Sequence, residues 1–157
     1  LRPARDADSA WITPDYSTGD WQQFQIGKTS TGFPDIQLRI AFRLDRVPEE
    51  PLLLDAGSFD DFDICYLNGT KIGETTPANT APEQAWKQRR LYPIPPGLLK
   101  SGENLLAIRA WNRNGKTRGW QVQIRGPITL RNADGGLPQP YFGKYRTSDD
   151  PYQLRQW

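Results

Sequence analysis

The fold is decided by the stretch from position 62 to 73, which reads Phe62-Asp63-Ile64-Cys65-Tyr66-Leu67-Asn68-Gly69-Thr70-Lys71-Ile72-Gly73. Two β-prone runs flank Asn68-Gly69, and this dipeptide readily adopts the positive φ angles of a type I′ turn. The stretch therefore predicts a β-hairpin. Cys65 lies within its first strand, where a buried small hydrophobic residue is the simplest interpretation.

Further strands are predicted on both sides of this hairpin. Apolar residues occupy every second position of 36–44, which indicates a half-buried strand. Residues 52–54, 104–111 and 120–124 are also predicted to be extended, whereas 75–88 forms a long polar loop that carries Trp86. The 14 Gly and 14 Pro of the 157 residues are spread along the chain, as in all-β proteins. We expect one antiparallel β domain.

Two blocks of sequence carry a resemblance to a known family. The first covers 59–73, and the second reads Tyr92-Pro93-Ile94-Pro95-Pro96-Gly97-Leu98-Leu99-Lys100-Ser101-Gly102-Glu103-Asn104. Together they resemble the sugar-binding, galactose-binding-like jelly-roll domain found beside glycoside hydrolase family 2 barrels and in sialate acetylesterases. The resemblance implies a β-sandwich jelly roll over 1–130, with an irregular N-terminal segment over 1–34. Residues 131–157 are expected to form a linker and aromatic tail that lead into a segment outside this chain.

The chain departs from that family at 111–120, where relatives often carry an aspartate and a run of glycines, so the family alone does not determine the ligand. A second resemblance is to the extracytoplasmic sensor regions of bacterial membrane signalling proteins, such as diguanylate cyclases, histidine kinases and serine phosphatases. The aromatic tail, which ends where a membrane span could begin, is similar to that arrangement.

Composition excludes several kinds of active site. The chain has no His and one Cys, so no Ser-His-Asp or Cys-His nucleophile and no ordinary zinc site can form. Among 18 acidic residues some carboxylate pair is always available, so such a pair gives no support for glycoside hydrolysis. In the family the module lacks catalytic residues, which lie in another domain. We therefore expect no enzymatic activity and no catalytic residue.

Charge is unevenly distributed along the chain. Residues 1–78 hold 7 basic and 13 acidic residues, a net −6, and residues 79–157 hold 13 and 5, a net +8. The basic residues are dispersed rather than clustered, so we expect no nucleic-acid partner.

Sugar recognition needs an aromatic face for the ring and fixed planar hydrogen-bonding groups for the hydroxyls. The candidate ligand-binding residues lie in or directly after the loop at 75–88 and in the loop at 111–120: Trp86, Arg89, Arg90, Trp111, Asn112, Arg113, Asn114 and Trp120. In the structural alternative, Trp111 and Trp120 close the end of the sandwich and the arginines are solvated or structural.

Asp60, Asp61 and Asp63 form an acidic cluster that could bind a hard cation such as Ca²⁺. The alternative is that they cap a turn, and no other cofactor is expected.

These observations lead to one hypothesis with two alternatives. The first is a non-catalytic sensor domain, periplasmic or otherwise extracytoplasmic, that binds a carbohydrate or another small polar ligand. It would be anchored to the membrane through a segment outside this chain, and a homodimer is compatible with it. The alternatives are an accessory carbohydrate-binding domain of a glycoside hydrolase or esterase, and a protein-interaction module.

Overall fold

The computed structural model describes residues 1–3, 9–19, 21–24 and 30–133. They form one 3₁₀ turn (Ala10–Ile12), two short helices and ten strands. The strands are β1 (Arg2–Pro3), β2 (Asp35–Leu44), β3 (Leu52–Asp55), β4 (Ser58–Asp60), β5 (Phe62–Leu67), β6 (Thr70–Thr75), β7 (Leu91–Pro93), β8 (Gly102–Trp111), β9 (Gln123–Arg125) and β10 (Thr129–Asn132). The helices are α1 (Pro82–Ala85) and α2 (Gly115–Arg118). No helix in these ranges has both the length and the apolar character needed to span a membrane.

The strands pack as an antiparallel β-sandwich, so the predicted all-β fold is confirmed. One sheet has the order β1-β2-β8-β5-β6. The opposite layer contains the three-stranded sheet β10-β3-β7 and the two-stranded sheet β4-β9, which we call the ribbon. The core joins both layers, since Ile40 and Ile108 of the large sheet share one buried cluster with Leu54, Phe59 and Ile124 of the smaller sheets.

The hairpin predicted at 62–73 is confirmed as β5–β6. Asn68 has a φ of 49° and Gly69 a φ of 84°, so both turn residues adopt the left-handed region that the dipeptide favours. The Asn68 amide also donates to the Leu98 carbonyl at 2.8 Å and to Asn104 Oδ1 at 2.9 Å, which ties the turn to the start of β8. Cys65 is completely buried, as predicted.

The strand predicted at 36–44 is present as β2, but its polar face is exposed only in the second half, at Ala41 and Arg43. Gln37 and Arg39 are buried because the N-terminal segment lies across this face. The Arg39 guanidinium donates to the carbonyls of Trp11, Thr13 and Pro14. The expectation of a half-buried strand is therefore confirmed for 40–44 and wrong for 36–39, where both faces of β2 are covered.

Other elements shift the predicted boundaries. β10 continues to Asn132 and pairs with β3, so regular structure crosses the boundary expected at 130. Helix α1 interrupts the loop predicted at 75–88, and α2 lies in the loop before Trp120. β9 begins at Gln123, which leaves Trp120 outside the strand predicted to contain it. The predicted tail from 134 onward lies outside the described residues.

Gly73 provides a test of the packing between β6 and β7. A Cβ atom on Gly73 would lie 2.1 Å from Cδ1 of Tyr92. The Tyr92 ring cannot move away freely, because its hydroxyl is hydrogen-bonded to Thr75 and Asp63. We expect Gly73→Ala to lower the free energy of unfolding by about 2 kcal/mol, the usual cost of overpacking a core.

Urea denaturation measures this loss. Gly19→Ala is the matched control, because its new Cβ would approach no atom closer than 4.0 Å. Equal stability of the two variants would contradict the packing described for Tyr92.

Candidate functional site

Arg90, expected to contact a ligand, is instead the central polar residue of the fold. It is 1% exposed and its Nε donates to Asp63 Oδ1 at 2.6 Å. The remaining N–H groups of the guanidinium donate to four main-chain carbonyls, those of Ala85, Gln88, Phe59 and Asp61. A guanidinium has five N–H donors, so all of them have protein acceptors. Arg90 therefore ties β5 to the ribbon and to the loop that carries Trp86.

Asp63 completes this buried network. Its Oδ2 accepts from the Tyr92 hydroxyl at 2.8 Å, and that hydroxyl lies 2.9 Å from Thr75 Oγ1. Burial raises the pKa of Asp63, and the Arg90 guanidinium and the Tyr92 hydroxyl oppose that rise. Burial also raises the pKa of the Cys65 thiol, with Asp63 adding to the effect. The thiol is therefore a protonated core group.

An open cleft of about 380 Å³ lies at one end of the ribbon. We call it the amide cleft, and it is lined mainly by Ser30, Asp60, Asn112, Trp120, Gln121 and Gln123. Three chain segments form it, because Gln123 pairs with Asp60 in the ribbon and with Ser30 on its other side. The cleft therefore forms only when the tertiary structure brings these segments together.

Two hydrogen-bond donors of the amide cleft are available. Gln121 Oε1 accepts from the Ser30 hydroxyl, and Gln123 Oε1 accepts from Arg125 at 2.7 Å. These bonds leave each amide nitrogen without a partner in the described part of the chain. Trp120 is 50% exposed beside them, with the Arg118 guanidinium 5.5 Å from its ring centroid. The cleft therefore combines an open indole with unused amide donors.

Asp60 supplies the carboxylate of the amide cleft. Its Oδ1 accepts from Asn112 Nδ2 at 3.1 Å and its Oδ2 lies 3.6 Å from Arg125, while the peptide bond to Asp61 is cis. Burial and the neighbouring Asp61 raise the pKa of Asp60, whereas Arg125 and Arg113 oppose the rise. Asn112 is itself 5% exposed, so its role is to hold Asp60 rather than to present its own amide.

A second cleft of about 240 Å³ lies at the other end of the ribbon. We call it the basic cleft, and its charged or hydroxyl lining residues are Asp55, Ser58, Lys87, Arg89 and Arg125. Arg89 donates to both carboxylate oxygens of Asp55, and Arg131 Nε lies 2.6 Å from Asp55 Oδ2.

Asp55 remains ionised in spite of its burial. Burial alone would raise its pKa, but hydrogen bonds from Arg89 and the Gly57 N–H, together with the Arg131 charge, hold the pKa below the usual range.

Trp86 lies at the edge of the basic cleft. The Lys87 ammonium is 5.0 Å and the Arg125 guanidinium 5.2 Å from its ring centroid, and the residue is 37% exposed. Cations over an indole face are attracted by its quadrupole, so Trp86 orders both charges.

The structure divides the eight predicted ligand-binding residues among several places. Asn112 and Trp120 line the amide cleft, Arg89 lines the basic cleft beside Trp86, and Arg90 is interior. The other three line neither cleft. Trp111 is partly buried with its ring centroid 5.7 Å from that of Phe62, Arg113 approaches Asp61, and Asn114 precedes α2.

Several lining residues were missed by sequence reasoning. Gln121, Gln123 and Arg125 alternate with Val122 and Ile124, and this alternation was a signal that they occupy the opposite face. Lys87 was adjacent to the predicted Trp86. Nothing in the sequence pointed to Ser30, because its position in the cleft comes from long-range pairing.

The structure separates the predicted acidic cluster. Asp63 is directed to Arg90 in the core, Asp61 Oδ2 accepts from the Arg113 main-chain N–H at 3.0 Å, and Asp60 faces the amide cleft. No group of three acidic or cysteine side chains suited to a metal ion is found within the described ranges. The three aspartates do not converge on one Ca²⁺ position.

No family model matches the chain. No curated protein matches it either. A solved structure to which it is similar is that of the Streptomyces avermitilis alpha-L-rhamnosidase complexed with L-rhamnose, at 17% identity and a TM-score of 0.46. The likeness covers 82% of this chain and 13% of the rhamnosidase chain, so this domain spans about an eighth of that enzyme's length.

The contrast between Arg90 and Arg89 can be measured. Arg90→Ala leaves the buried Asp63 carboxylate without its cation, and we expect a loss of about 3–5 kcal/mol in the free energy of unfolding. Arg89→Ala should cost about 1 kcal/mol, because the Arg89 side chain is 56% exposed and Asp55 keeps Arg131. Urea denaturation distinguishes them, and similar losses would contradict the central role given to Arg90.

Proposed function

We propose that this chain is a non-catalytic carbohydrate-binding domain of the galactose-binding-like type, and that it takes a saccharide in the amide cleft. The observation that carries the proposal is the half-exposed Trp120 beside the unused amide nitrogens of Gln121 and Gln123. An aromatic face and fixed planar polar groups are the two things that a sugar ring requires.

The chemistry of the cleft suits hydroxyl groups. A hydroxyl both donates and accepts, so it can accept from a glutamine amide and donate to the Asp60 carboxylate. The C–H face of the sugar ring would lie on the Trp120 indole. Gly119, with a φ of 68°, ends α2 immediately before this indole, so the turn into Trp120 depends on a residue that tolerates a left-handed backbone.

The distribution of acids supports binding rather than hydrolysis. Among the described residues that line the amide cleft, Asp60 alone is acidic. The common glycoside hydrolysis mechanisms use two carboxyl groups on either side of the scissile bond. Asp60 instead accepts a hydrogen bond from Asn112 Nδ2 and lies near the Arg125 guanidinium. These contacts hold its carboxylate in one orientation, as suits a hydrogen-bond acceptor for a ligand hydroxyl.

We expect loss of the Trp120 indole to weaken binding. Trp120→Ala should raise the Kd for a saccharide identified on a glycan array by at least about tenfold, the loss typical of a central aromatic contact. Trp120→Phe keeps a ring face and should lose much less affinity. Isothermal titration calorimetry measures both Kd values.

Leu91→Ala is the control for this experiment, because Leu91 is 47% exposed and lines neither cleft. Saccharide binding that survives Trp120→Ala unchanged would remove the amide cleft as the site. Absence of binding to every saccharide on the array would favour the protein-interaction alternative.

Within the full-length protein we place this domain outside the cytoplasm, as the sensor region of a membrane signalling protein. The support is the sequence resemblance to such regions. A bound saccharide can change the output only by favouring one conformation or association state over another, which makes a dimer interface one route for the signal.

This placement predicts that externally added protease digests the domain in spheroplasts that express the full-length protein. Protection of the domain until the membrane is permeabilised would contradict it. A catalytic barrel in the full-length chain would instead favour the accessory-domain alternative.

A further inference from the structure

We infer that the basic cleft is an anion-binding site that takes the carboxylate or sulfate group of an acidic saccharide. The inference rests on the proposed function, since it names the ligand class of the same surface. Lys87, Arg89 and Arg125 line this cleft together with one carboxylate, that of Asp55. Asp55 is already paired with Arg89 and with Arg131, so the other cations are not needed to neutralise it.

Lys87 is the cation most available to a ligand. It is exposed, and its ammonium lies 5.0 Å from the Trp86 ring centroid. In the described part of the chain, Lys87 has no acidic partner. Arg125 is less available, because it lies 3.6 Å from Asp60 and donates to Gln123.

The basic cleft is supported by the core of the fold, because the loop that carries Lys87 and Arg89 is anchored to a buried side chain. Arg90 holds that loop through the carbonyls of Ala85 and Gln88. Both the Lys87 ammonium and the Arg125 guanidinium lie within cation–π distance of the Trp86 ring. A carboxylate or sulfate in the cleft would meet charges whose positions are set before it arrives, which lowers the cost of binding.

The two clefts suit one extended ligand. They flank the ribbon, whose strands have three residues each and therefore span about 10 Å. Ser58 pairs with Arg125 at the basic end, and Asp60 pairs with Gln123 at the amide end. A short acidic oligosaccharide laid along the ribbon would place a neutral ring on Trp120 and a charged substituent beside Lys87.

The test compares each acidic ligand with a neutral counterpart that has the same sugar backbone. Trigalacturonate is paired with its methyl ester, and a sulfated galactan trisaccharide is paired with its unsulfated form. We expect calorimetry to show tighter binding of at least one acidic ligand than of its neutral counterpart. That preference should shrink as the salt concentration rises from about 0.01 to 0.15 M, since exposed charges are then screened. The stronger acidic ligand identifies the source of the anion.

Lys87→Gln should weaken binding of the acidic ligand about fivefold, the upper range for an exposed ion pair, and leave binding of its neutral counterpart unchanged. Lys100→Gln is the matched control, because Lys100 is exposed and lines neither cleft. Equal affinity for each acidic ligand and its neutral counterpart, or no effect of Lys87→Gln, would overturn the anion site while saccharide binding still stands.

A titration with sodium sulfate at constant ionic strength tests the anion site by itself, in the case that no saccharide binds. The amide resonances of Ser58 and Gly126, which line the basic cleft, should shift in the wild type and should need a higher sulfate concentration to shift in Lys87→Gln. Such shifts without saccharide binding would keep the anion site and reject the saccharide. No shift in the wild type would overturn both.

Discussion

The buried ion pair between Arg90 and Asp63 is the constraint on which the rest of the structure depends. Both side chains are fully buried, and removing two charges from water is costly unless every donor and acceptor is used. That condition is met because the guanidinium also donates hydrogen bonds to four main-chain carbonyls. Those carbonyls belong to the ribbon, to the turn after it and to the loop before β7. One side chain therefore sets the relative positions of three segments that share no continuous strand pairing.

This arrangement separates stability from recognition. Most of the buried hydrophobic residues and the long pairing of β2 with β8 lie in the other two sheets, whereas both clefts lie on the ribbon and its flanking loops. A ribbon of two short strands is marginal by itself, so it needs support from packing and from Arg90. Once supported, it can carry Trp120, Gln121 and Lys87 on its borders, where exposed polar and aromatic groups cost the fold little.

Sequence patterns predicted the sandwich because hairpin chemistry and alternating hydrophobicity are local properties. Asn68-Gly69 needed no tertiary information. The site was only partly predictable, since Arg89 and Arg90 are neighbours of the same type and yet one is exposed while the other is buried. Their difference follows from where Asp55 and Asp63 lie in the fold, which no local pattern encodes. The covered face of β2 escaped prediction for the same reason: Gln37 and Arg39 are polar but buried beneath the N-terminal segment.

The uneven distribution of charge between the two halves of the chain corresponds to ion pairs that join the halves in the fold. Within the residues that the structure describes, six ion pairs join an aspartate of residues 1–78 to an arginine of residues 79–157: Asp55–Arg89, Asp63–Arg90, Asp35–Arg109, Asp61–Arg113, Asp60–Arg125 and Asp55–Arg131. Five of the 13 acidic residues of the first half are thus neutralised by arginines of the second half within the fold. The basic half has the larger net charge, so cations are left over after this pairing. Lys87 is one of them, and Trp86 holds it at the basic cleft, where an acidic saccharide would supply the missing negative charge.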